Sequence, residues 1–193
     1  MRARIAAAAA RVMAEDGVDD FGLAKRKAAR RLGAPDTEAM PTNDEVEAEL
    51  RAYRALYQAD DHEHIIAELR SVALDLMQVL AEFQPYLTGP VLSGIAGAHS
   101  EIDLQLFPDS AKDVEMFLLN RNLPFGTREG RRFSGDRSRA VSVFTLEWRG
   151  VPVRLSVFDR RDERVALKTS QAGRVMERAG IAEVDALLRD GPR

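Results

Sequence analysis

The chain contains no cysteine in its 193 residues, so disulfides, thiolate nucleophiles and cysteine-ligated zinc or iron–sulfur centres are excluded. Any metal must be held by oxygen ligands or by the three histidines. Long apolar runs are also missing. The N-terminal stretch Met1 to Met13 is rich in alanine, but Arg2, Arg4 and Arg11 break it up, and neither a signal peptide nor a membrane span fits there. The expectation is a cytoplasmic protein that does not engage the membrane. What is present is the balance of a soluble globular chain with a packed core, 45% hydrophobic and 31% charged. The length suits one domain with a helical extension, which predicts a helical N-terminal segment over 1–60 and an α+β domain over 61–193.

Charge is unevenly spread. Residues 71–120 hold 1 basic against 7 acidic side chains, and residues 121–168 hold 12 against 6. Such a reversal gives either complementary faces of one fold or a basic region that attracts phosphates.

Helical periodicity dominates the first eighty-odd residues. Ile5, Ala8, Ala9, Val12 and Met13 mark a helix ending at Gly17, and Leu23 to Leu32 a second that stops at Gly33. Thr42-Asn43-Asp44-Glu45 reads as a capping box opening a third helix through Tyr57. A fourth starts at Asp60-Asp61 and carries Ile65, Ile66, Leu69, Val72, Leu76, Val79 and Leu80 towards Pro85. From Pro90 the period changes to two: Val91 and Leu92, then Ile102, Leu104 and Leu106, predict strand, turn and strand. A helix over 110–121 follows, then a Gly- and Arg-rich loop. Val141 to Trp148 and Val151 to Phe158 flank Arg149-Gly150 as a hairpin, and two short helices around Gly180 close the chain.

Alternation in Glu101 to Phe107 sends Ile102, Leu104 and Leu106 to a core and leaves Glu101, Asp103 and Gln105 on the opposite face. Two carboxylates about 6.5–7 Å apart at Cα can lean onto one divalent ion, and hard oxygen ligands suit Mg²⁺ together with substrate phosphates. The preceding turn, Ser93 to Ser100, offers backbone N–H groups and hydroxyls to a triphosphate. Arg128, Arg131, Arg132, Arg137 and Arg139 fall in the glycine-containing loop, where guanidinium groups are suited to phosphates or an RNA backbone. Phe133 is the only aromatic among them, which does not support base stacking. His99 adjoins the acidic pair, whereas His62 and His64, two apart at a helix start, lie on different faces.

Ser93-Gly94 followed by Ser100-Glu101-Ile102-Asp103-Leu104 resembles the signature of the polymerase-β-type nucleotidyltransferases, and the order of elements over about 74–168 matches. The resemblance implies a small mixed sheet flanked by helices. It further implies Mg²⁺ on Glu101 and Asp103, a nucleoside triphosphate contacted by Ser93, and transfer of a nucleoside monophosphate to an unidentified acceptor, for which RNA and protein are the candidates. The strand that matches the one bearing the family's third acid reads Val153-Arg154-Leu155-Ser156-Val157. Glu147 and Asp159 are the nearest carboxylates. Glu147 is the expected third catalytic acid, Gly94 joins Ser93 at the phosphates, and Arg131 and Arg132 hold the leaving pyrophosphate. An arginine at position 154, beside the acidic pair, would neutralise it without any metal. The alternative is therefore a non-catalytic nucleotidyltransferase-like module that binds nucleotide or a partner. Lys25-Arg26-Lys27 and Arg30-Arg31 also invite a helix-turn-helix reading, against which stands a docking or homo-oligomerising role for the N-terminal helices.

Overall fold

The computed structural model describes the backbone of residues 1–190 apart from 19, 36, 58, 135, 136, 166 and 169–174. It describes the side chains of those residues apart from 57, 59, 60, 132–134, 137–139, 167 and 168. Three helices form where the apolar spacing predicts them: α1 (Arg2–Asp16), α2 (Phe21–Arg31) and α3 (Asn43–Tyr57). Alanines make up half of the buried residues of α1, Ala6, Ala9 and Ala10, and all of those of α2, Ala24, Ala28 and Ala29, which leaves little side-chain bulk between the two helices. Gly17, at φ 65°, caps the end of α1 in the left-handed conformation. Asp20 caps α2 by accepting from the Leu23 N–H at 2.5 Å. The capping box of α3 is formed: Glu45 N–H donates to Thr42 Oγ1 at 3.2 Å, and Thr42 N–H donates back to Glu45 Oε2 at 2.6 Å.

Ile95 completes this helical core. Arg54, almost fully buried, donates to the carbonyls of Ile95 and Ala96, the latter at 2.8 Å. Met1–Ile66 and Ile95–Ser100 accordingly form one compact unit, and Ala67–Gly94 with Glu101–Arg193 form the other. The division expected at residue 60 falls inside a continuous helix, α4 (Ala59–Val79).

The second unit is α+β. Its elements are the latter part of α4, then β1 (Tyr86–Thr88), α5 (Gly89–Ser93), β2 (Ile102–Leu106), α6 (Ala111–Asn120), β3 (Phe125–Ser134), β4 (Arg137–Trp148), β5 (Val151–Val157), β6 (Leu167–Lys168), β7 (Arg178–Ala179) and α7 (Ile181–Asp190). The sheet order is β6-β3-β4-β5-β2-β1-β7. β2 and β5 run parallel and the other described pairs antiparallel, so the sheet is mixed.

The β4–β5 hairpin turns at Arg149-Gly150, with φ of 51° and 81°, as a two-residue loop whose twist suits the strands. Three expectations are corrected. Val91 and Leu92 lie in α5, not in a strand, because Pro90 has the fixed φ of a helical first turn, and the strand precedes it at Tyr86–Thr88. The Gly- and Arg-rich stretch is mostly β3 and the start of β4. Gly126 and Gly130 are strand positions where a Cβ would stand 2.9 Å from the Thr145 hydroxyl and a Val143 methyl, so glycine marks close cross-strand approach and not a loop. At the C-terminus a short strand, β7, stands before Gly180 where a helix was expected.

Register fixes the two faces of the sheet. Leu87, Ile102, Leu104, Leu155, Val153, Phe144 and Leu146 share one face and are buried. Trp148 is on that face and donates its indole N–H to Asp75 at 2.8 Å, which places the latter part of α4 over it. The opposite face holds the polar side chains considered next.

Candidate functional site

Five residues fall in one row across the polar face: Thr88 on β1, Asp103 on β2, Arg154 on β5, Thr145 on β4 and Gly126 on β3, each the register partner of the next. Adjacent strands are about 4.8 Å apart. Asp103 and Arg154 are therefore held within side-chain reach by the sheet itself.

The guanidinium of Arg154 fills the place between the two acids. Its Nε donates to Asp103 Oδ1 at 2.5 Å, its Nη2 lies 2.5 Å from the same oxygen, and its Nη1 lies 3.3 Å from Glu101 Oε2. The Asp103 side chain is 16% exposed and that of Arg154 28%. The pair is thus partly withdrawn from water, where Coulomb attraction is stronger than at a surface.

The other Asp103 oxygen is also closely placed. Gly89 has φ 72°, and a Cβ there would stand 2.9 Å from Asp103 Oδ2. Gly89 opens α5, between β1 and β2, and is the glycine packed against the acidic pair. Sequence reasoning missed it: Thr88-Gly89-Pro90 reads as an ordinary turn signal.

The remaining expected site residues are distributed as follows. Ser93 turns its hydroxyl back on its own helix, donating to Pro90 O at 3.4 Å, and Gly94 is the left-handed cap of α5. Arg70 donates to the carbonyls of Val91 and Leu92 at that helix end. Glu147 is exposed and shares the polar face, two strands and two residues from Asp103, or about 12 Å at Cα. Arg131 is exposed on β3, but its odd position sends it to the face opposite Asp103. Arg128 is exposed on the same face as the acids. The side chains of Arg132, Arg137 and Arg139 lie outside the described residues. His99 belongs to the helical unit, where it lies near Gly17.

The donor set can be tested against the Mg²⁺ that the resemblance implies. An octahedral hard cation needs free carboxylate oxygens and water-accessible positions. Here Asp103 Oδ1 already takes two guanidinium nitrogens, and Glu101 Oε2 faces the third. β5, opposite Asp103, offers Arg154 and Ser156. Among the described residues no three His, Asp or Glu side chains come together as a metal-binding group. The arrangement suits a fixed cation on the protein and does not fit a resident Mg²⁺.

In the helical unit, several basic residues of the helix-turn-helix reading are engaged internally. Lys25 bonds to Pro41 O and to Asn43 Oδ1, while Lys27 and Arg31 both bond to Asp16. No described helix is long and apolar enough to cross a membrane. Comparison with family models, curated proteins and solved structures finds no match.

Proposed function

We propose that the α+β unit is a non-catalytic nucleotidyltransferase-like module that binds a nucleotide without transferring it. The observation that carries this reading is the Arg154 guanidinium seated on Asp103 and Glu101. Nucleotidyl transfer needs metal ions to bridge the phosphates and an acid near the attacking hydroxyl. A guanidinium in that place supplies charge but neither ligand exchange nor a base. The polar face beside the pair, with the half-buried Thr145 and the exposed Arg128, supplies hydroxyl and cationic contacts suited to a sugar or a phosphate.

A second reading is Mg²⁺-dependent transfer, with Glu101 and Asp103 on the metal and Glu147 as the third acid. One observation favours it: the three carboxylates share a face of the sheet. One experiment separates the two. The full chain is titrated calorimetrically with nucleoside triphosphates, with and without Mg²⁺, and incubated with an α-labelled triphosphate and a panel of RNA and protein acceptors. Binding with no label transferred is expected. Mg²⁺-dependent label transfer that is lost in Asp103→Asn and Glu147→Gln would establish the enzyme instead, and no binding of any nucleotide would overturn the nucleotide-binding reading.

A further inference from the structure

We propose that Arg154 is the resident cation of this site and that it masks a latent divalent-metal site formed by Glu101 and Asp103. The proposal deepens the reading of the module as non-catalytic and rests on it. Its test needs no nucleotide.

Three observations carry it. First, the placement is built into the sheet: Asp103 and Arg154 are partners in the parallel β2–β5 ladder, between Ile102↔Val153 and Leu104↔Leu155, whose four side chains are all fully buried. A one-residue slip of either strand would drive its two out of the core, so the guanidinium is held beside Asp103 by burial. Second, every nitrogen of the guanidinium faces an acid, Nε and Nη2 on Asp103 and Nη1 on Glu101. A fork that satisfies two carboxylates at once leaves neither in search of a metal. Third, Gly89 leaves room for the other edge of Asp103, since a Cβ there would stand 2.9 Å from Oδ2. The carboxylate is held by the guanidinium on one side and fits the space left by Gly89 on the other before any ion arrives.

The charges agree with this. Two carboxylates and one guanidinium leave the site with one net negative charge, too little to attract a divalent ion strongly against its hydration. Removing the guanidinium restores two negative charges on adjacent side chains of one strand end. The same side chains then become a two-carboxylate ligand set.

The probe is Mn²⁺ alone, added to the full chain and followed through the electron paramagnetic resonance signal of the free ion, with circular dichroism as the check on folding. The native chain is expected to show no site saturable below millimolar Mn²⁺. Arg154→Ala should bind one Mn²⁺ roughly tenfold or more tightly than the native chain, and adding Asp103→Asn should abolish the gain. Arg154→Gln, which keeps an amide N–H donor and removes the charge and the fork, carries the same expectation, so the result does not depend on the alanine variant folding. Arg154→Lys, which keeps the charge, should not gain. Native binding as tight as that of the variants, or no gain in a folded Arg154→Gln chain, overturns the proposal. Both outcomes are independent of whether the module binds nucleotides.

Discussion

The carboxylate of Asp75 on α4 receives the indole N–H of Trp148 through one oxygen and the guanidinium of Arg149 through the other, both at 2.8 Å. Trp148 is the only tryptophan in the chain, so its emission reports this contact directly. Asp75→Ala leaves the half-buried indole N–H without that partner and is expected to cost about 1–2 kcal/mol. Urea unfolding followed by tryptophan fluorescence should show a lower midpoint, together with a shifted native emission maximum. An unaltered native spectrum would mean that the indole does not depend on Asp75.

Glu45 links the α3 capping box to α1. Its carboxyl is pulled from the ordinary 4.5 to about 2, first by the hydrogen bond from Arg2 and next by the backbone N–H of Thr42. A carboxyl depressed on folding contributes stability that is complete above its unfolded value and is lost as pH falls through the folded one. Thermal midpoints should therefore fall between about pH 4.5 and pH 2 in the native chain. Glu45→Gln should be less stable at neutral pH and show a shallower fall over the same window.

Tyr86 donates its hydroxyl proton to Glu163 at 2.9 Å. Burial, and then this bond, raise its ionisation above the ordinary 10. In a spectrophotometric titration of the folded chain one phenol should ionise late, and Tyr86→Phe should remove that step. Glu163→Gln should bring it partway down, because burial is the larger cause and remains.

Two glycines with similar positive φ separate conformational strain from contact. Gly89 and Gly150 have φ of 72° and 81°, and a Cβ would meet nothing within 4 Å at Gly150 but Asp103 Oδ2 at 2.9 Å at Gly89. Gly150→Ala should cost about 1–2 kcal/mol for the left-handed conformation alone. Gly89→Ala should cost more, and chemical unfolding of the two variants measures the difference. Equal losses would show that Asp103 moves aside freely.

What the sequence made legible was what short-range physics decides. The alternation of Ile102, Leu104 and Leu106 gave β2 and its two faces, because one side of the strand had to be buried. The Thr42/Glu45 box and the Arg149-Gly150 turn were readable for the same reason: each is settled within four residues. The five-residue α5 is too short to show a period, so Val91 and Leu92 read as strand. Gly126 and Gly130 read as loop because composition does not reveal which side chain crosses above them. Arg154 was legible as a threat to the acidic pair, but its seat on Asp103 depends on a register joining residues 51 apart. Gly89 gave no signal of its own, since only the fold brings it against Asp103.

The return of Ile95–Ser100 to the helical unit bears on how the chain can be cut. A fragment ending at residue 66 would contain Arg54 but not the Ile95 and Ala96 carbonyls that receive it, and its core would lack Ile95. A fragment starting at residue 67 would carry that hexapeptide away from the helices it packs with. No single cleavage or gene fusion at the α4 boundary therefore yields two self-sufficient pieces. A transplantable helical unit needs the hexapeptide spliced in behind residue 66, because two separate stretches of the chain build its core.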